Sequence, residues 1–229
     1  IVHRTLPPRD PQRPSTHSTA DLLRFGGWLT VSNVIGPLMV QSDRFILGVR
    51  AGLAPVSFYT IPFDLVTRLW LIPGSLSTAV FPSFAAALRD NDATTARSLL
   101  FRASIGTAMA VSAVTIPAVV GANWLLTAWL NAEFAAVATV PTQMLLVAVT
   151  INSAAWIPLA FVQAAGRPDL PALSHVTQVV PYLALVWWLA GSYGPSGAAV
   201  AFLIRISIDA GVIFALAARL VRRPATAPR

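Results

Sequence analysis

Two pairs of opposite charges sit in otherwise apolar sequence. In FYTIPFDLVTRLWLIPGSLSTAVFP, residues 58–82, Asp64 and Arg68 lie four apart. Far along the chain, in GPSGAAVAFLIRISID, Arg205 and Asp209 repeat the spacing in reverse order. On a helix, residues four apart share a face. Two kinds of chemistry fit that arrangement. Each pair can close on itself as an ion pair that holds a bundle together. Alternatively the guanidinium, a planar fork suited to phosphate, meets an anionic cargo while the carboxylate holds it in place.

A looser set lies upstream. Asn33, Gln41 and Arg44 fall roughly on one helical stripe and could line a cavity wall or make ordinary interhelical hydrogen bonds. The adjacent Asp43 and Arg44 are placed near a membrane surface, where they can snorkel to water. Gln143, Thr150, Asn152, Thr177 and Gln178 read as packing contacts or as contacts to a sugar. His175 alone is weak evidence for a proton site.

The elements that must carry these residues follow from composition. Of 229 residues, 55% are hydrophobic and 11% charged, and the mean hydropathy is +0.67. Soluble domains carry about a quarter charged residues, so the chain reads as a membrane protein. Cysteine is absent, which excludes disulfides and thiolate metal sites. The net charge of +7 is assigned to basic loops facing an anionic leaflet rather than to nucleic acid. No phosphate-binding loop, HExxH or GxSxG occurs, so neither an ATPase nor a hydrolase is indicated and no cofactor is expected.

A spanning helix needs about 20 apolar residues. Six segments qualify, at 25–48, 56–88, 99–120, 136–165, 170–190 and 196–220, with a short amphipathic piece, NWLLTAWLNAEF, after the third. The expected architecture is an all-α polytopic membrane bundle of about six transmembrane helices over residues 21–221. A disordered lead-in, 1–20, precedes it and a cytoplasmic tail, 222–229, follows. Arginines cluster in the tails and around 89–102 and 167, while the opposite loops keep Arg50 with Arg44 close by. That bias places both termini in the cytoplasm. It also brings Asp64, Arg68, Arg205 and Asp209 to similar depth near the bilayer midplane, where a charge costs about 2.5–3.5 kcal/mol and faces a partner or a wet cavity.

With those residues laid out, the chain resembles the polysaccharide flippases, the Wzx-like branch of the multidrug/oligosaccharidyl-lipid/polysaccharide exporter superfamily. The resemblance lies in RFGGWLTVSNVIGPLMVQSDRFILG and VSFYTIPFDLVTRLWLIPGSLSTAVFPSFAA, and more loosely in QAAGRPDLPALSHV and GPSGAAVAFLIRISID. Such proteins have twelve or fourteen spans in two lobes, so the resemblance implies one lobe of a two-lobed transporter fold, the C-terminal one. Its partner would be an N-terminal lobe or a second copy. The resemblance further implies a cavity between lobes that carries polyprenyl-diphosphate-linked oligosaccharide across the bacterial inner membrane. Arg68 is then the first candidate to face the diphosphate and Arg205 the second, with Asp64 and Asp209 positioning them. Rival readings are a cation-coupled multidrug exporter lobe, which needs a lone protonatable acid in its cavity, and a non-transporting membrane protein or gene fragment.

Overall fold

In lipid the backbone must satisfy its own polar groups, and helices do so within one segment. Every element among the described residues is helical. The computed structural model describes residues 19–222, with side chains described for 26–28, 30, 34–35 and 37–221. The expected lead-in as far as residue 18, the tail from residue 223 and the Asn33 side chain lie outside these.

The helices are α1 (Thr19–Ala51), α2 (Leu53–Thr67), a 3₁₀ turn (Arg68–Trp70), α3 (Leu71–Arg89), α4 (Ala93–Val120), α5 (Ala122–Trp129), α6 (Ala132–Ala164) and α7 (Asp169–Arg222). Four continuous helical segments are long and apolar enough to cross a membrane: Leu53–Arg89, Ala93–Val120, Ala132–Ala164 and Asp169–Val221. The first runs from α2 through the 3₁₀ turn into α3. Pro73 accounts for that turn: it has no N–H to give the Leu69 carbonyl and its ring crowds that oxygen, which tightens the preceding turn.

The last segment is two helices in one. Gly194, at φ 57° and ψ −134°, breaks α7, in a region of backbone space that favours glycine. The halves, 169–193 (α7a) and 195–222 (α7b), fold back on each other. A side chain at Gly197 would collide with the Leu189 backbone, and Gln178 on α7a reaches Asp209 on α7b. With α1, the described residues thus form six long rods, as the hydropathy pattern anticipates. The joint GSYGPSG is narrower than expected, since only Gly194 leaves the helix. The joint RDNDATTAR is also shortened. Asp92 caps α4 by accepting the Thr95 N–H at 2.9 Å, so the helix starts at Ala93. The amphipathic piece forms α5, with Trp124 and Trp129 exposed.

α6 is the central helix and packs on α2, α3, α4, α5 and α7. Tyr59, Phe63 and Val66 form the buried stripe of α2, recurring at helical spacing. They meet Leu145, Leu146 and Val149 of α6, Tyr182 and Val186 of α7a, and Phe202 and Ile206 of α7b. A second cluster joins Phe84, Ile157, Phe161 and Ala217. Outward faces stay apolar, with Phe45, Val49, Val120 and Val180 at least 73% exposed, as lipid-facing surface requires. Ser and Thr hydroxyls within the rods, among them Thr67, Thr107, Thr142 and Ser153, donate to the carbonyl four residues back.

Candidate functional site

Arg50 shows that the turns at Gly52 and Gly194 share one end of the bundle. Its Nε donates to the Trp187 carbonyl at 3.3 Å, and its guanidinium lies 4.9 Å over the Trp187 ring. From these turns, Asp43, Tyr59, Tyr182 and Arg205 lie about 11–18 Å along their helices at 1.5 Å per residue. That is close to half of a hydrocarbon core about 30 Å thick.

At this depth the side chains meet. Asp43 on α1 is fully buried. The Tyr59 hydroxyl from α2 donates to its Oδ2 at 2.7 Å, and the Tyr182 hydroxyl from α7a donates to its Oδ1. Arg205 on α7b, 7% exposed, stacks its guanidinium 5.3 Å over the Tyr182 ring. Its Nε and Nη1 are buried without a hydrogen-bond partner. One turn deeper, Asp209 accepts Gln178 Nε2 at 3.3 Å and pairs with His175 Nε2 at 3.3 Å, both from α7a. Arg205 therefore lies on a buried polar seam through α1, α2 and the two halves of α7, with a carboxylate on either side.

Beside the seam, Arg44 pairs with Asp64 across α1 and α2 and lies 5.4 Å over the Phe63 ring. Asp64 is half exposed. It belongs to a polar line of Ser57, Asp64, Arg68, Ser75 and Thr78, all exposed along one face of the α2–α3 rod. Further along, Arg68 lines a groove of about 890 Å³ with Trp70, Gly74, Ser75, Thr78 and, from α6, Trp156. Arg205 is not among the residues lining that groove. A polar face through the middle of an apolar rod is too costly to leave against hydrocarbon. It fits water or another protein surface.

A family model described as polysaccharide biosynthesis protein matches residues 7–88. A Shigella flexneri protein named "Putative O-antigen transporter" is 34% identical over 191 residues, 82% of this chain and 44% of the relative. The chain belongs to the polysaccharide biosynthesis protein family. It is the Wzx-like flippase family that the sequence resembles, and this chain's own long apolar helices place it in a membrane as a multi-pass protein. The chain spans less than half the length of that relative. No solved structure matches it.

In this family member, the closed pairs that each helix could have formed, one of the two arrangements their spacing allows, give way to other partners. Asp64 pairs with Arg44 rather than Arg68, and Asp209 with His175 rather than Arg205. The reason is geometric: side chains on a packed helix reach a facing helix as readily as the next turn of their own. Asp43 is likewise not at an interface with water. α1 continues to Ala51, which sets Asp43 deeper than expected, and two tyrosines enclose it. Gln41 is exposed on α1, apart from the seam. Gln143 donates to the Val119 carbonyl at 2.9 Å and Thr150 to Thr115 at 2.8 Å, so both join α6 to α4. Tyr59, Tyr182 and Trp156 escaped the sequence reading. A buried tyrosine hydroxyl needs a partner, and two tyrosines in apolar helices were the available signal for an internal acceptor.

Proposed function

We propose that this chain forms the C-terminal lobe of a flippase. It would move polyprenyl-diphosphate-linked oligosaccharide across the bacterial inner membrane for polysaccharide biosynthesis, by alternating access between two lobes. Both termini would face the cytoplasm, following the arginine bias of the loops. The observation that carries this reading is Arg68: an exposed guanidinium on a polar face within an apolar rod, in a chain related to a transporter.

The roles divide by accessibility. Arg68 is open to a charged head group. Arg205 is sealed between α1 and α7, and its two unused donors become available only when those helices part. Asp64, held by Arg44, tempers the charge near Arg68, while Asp209 and Asp43 do the same for Arg205. The isoprenoid tail remains in lipid and the sugars cross along the polar face, covered on its far side by an N-terminal lobe or a second copy.

The test is flipping in proteoliposomes. The chain, alone or with the uncovered part of the Shigella flexneri relative, is reconstituted with a fluorescent polyprenyl-diphosphate oligosaccharide and an external quencher. Quenching beyond the outer-leaflet share reports flipping. Arg68→Ala should abolish it at equal amounts of folded protein, and an active Arg68→Ala variant would confine the residue to structure.

Asp43 supports a second reading. A buried acid held by two tyrosines, with no arginine in direct contact among the described residues, is what a cation-coupled exporter lobe needs. Flux of a small cationic dye under a sodium or proton gradient, lost in Asp43→Asn, would favour that reading.

A further inference from the structure

Trp156 has no role in the seam, yet its ring is held with unusual care. Its Nε1 donates to Asn152 Oδ1, one turn back on α6, at 3.0 Å. The far edge of the ring lies against Gly74 of α3, where an added Cβ would come within 3.2 Å of Cζ3. Position 74 therefore lets the indole lie close against the rod. The side chain is thus clamped at both ends while remaining partly exposed in the groove beside Arg68.

The rest of the groove mixes polar and apolar groups. Trp70, Thr67, Leu71 and Ala79 also line it. The Ser75 and Thr78 hydroxyls donate to the Leu71 and Gly74 carbonyls, which leaves their oxygens as acceptors. One cation, two hydroxyl acceptors and a fixed aromatic face, set beside Leu71 and Ala79, suit a ligand that carries both polar groups and apolar faces. An aromatic face packs well on the C–H face of a pyranose ring, and a guanidinium on phosphate. The groove's volume, about 890 Å³, is within the range of small-molecule sites.

We propose that Trp156 and Arg68 form one site for the head group of an anionic glycolipid: Arg68 holds a phosphate oxygen and the Trp156 face stacks on the first sugar. The proposal deepens the flippase reading and rests on it for the lipid source. It assigns recognition of the sugar to a residue separate from the one that recognises charge.

The experiment compares three probes on the detergent-solubilised chain: farnesyl diphosphate, farnesyl diphosphate bearing one N-acetylglucosamine, and free N-acetylglucosamine 1-phosphate. Trp156→Ala should weaken the glycosylated lipid about tenfold, equivalent to about 1.4 kcal/mol, with little change for farnesyl diphosphate. Arg68→Ala should weaken both lipids. Trp156→Phe should retain part of the sugar preference, and it provides the reading if the alanine variant does not fold. Equal losses for both lipids, or none, in the Trp156 variants would overturn the site, and free N-acetylglucosamine 1-phosphate binding as tightly as the glycolipid would overturn the lipid as its ligand. Trp156-dependent binding without flipping would keep the site and reject the flippase; normal flipping by Trp156→Ala would do the reverse.

Discussion

The Tyr59 hydroxyl donates to the Asp43 carboxylate at 2.7 Å and so ties α2 to α1 in the interior of the bundle. Tyr182 completes the grip from α7a. Interhelical hydrogen bonds in membranes average about 0.6 kcal/mol and reach about 1.7. Full burial and the short distance place this bond at the upper end. Tyr59→Phe should therefore cost about 1–2 kcal/mol in a detergent unfolding titration. Asp43→Ala should cost more, because it leaves two buried hydroxyls without an acceptor. Equal stability of Asp43→Ala and wild type would show that the seam is no structural tie.

The Arg44–Asp64 bridge predicts a pattern in double mutants. Asp64 is 55% exposed, so the pair is solvent-screened and its coupling should fall within about 0.2–1 kcal/mol. A cycle of Arg44→Ala and Asp64→Ala should show that coupling. The cycle of Asp64→Ala with Arg68→Ala should show none, and measurable coupling there would restore the pairing within one helix.

The α7 hairpin makes its glycines unequal. Alanine at Gly197 would overlap the Leu189 backbone, which cannot move without opening the hairpin. Gly197→Ala should cost several kcal/mol, above the usual 1–3 for overpacking, and lower the yield of monodisperse protein. At Gly191 the obstacle is the Arg50 guanidinium, the end of a flexible side chain. Gly191→Ala should cost about 0.5–1 kcal/mol, the worth of the Arg50–Trp187 stacking it disturbs. Similar costs at the two positions would contradict the hairpin geometry.

Asp92 caps α4 outside the apolar segments, and hydrogen bonds from Thr95 hold its carboxyl below the usual carboxylate range. Such a group contributes in full above its unfolded value of about 3.9 and loses its contribution only as pH falls through the lowered folded value. Amide protection in the first turn of α4, corrected for intrinsic exchange, should be constant from about pH 5 to 8. Asp92→Ala should expose the Thr95 amide to faster exchange across that range. A drop in wild-type protection near neutral pH would mean that another group governs this turn.

Much of the fold was legible because hydropathy alone specifies it. Long apolar stretches must be helices in lipid, and the six expected segments match the observed rods to within several residues at their ends. The ends differ where local chemistry outweighs hydropathy: the Asp92 cap lengthens α4, and Gly194 confines the last turn to one residue. The polar line from Ser57 to Thr78 could also be read from spacings of seven, four, seven and three, since one helix carries all of it.

By itself, the sequence determined that this chain is a membrane-embedded helical protein and which family it resembles. Each of these depends on composition or on residues close together along the chain. Only the tertiary structure decided which charges meet: Asp43 with Tyr59 and Tyr182, Asp64 with Arg44, Asp209 with His175, and Trp156 with Gly74. The physical reason is that partners on different helices are chosen by rotation and register between rods, and those are set by the packing of whole apolar faces rather than by any local pattern.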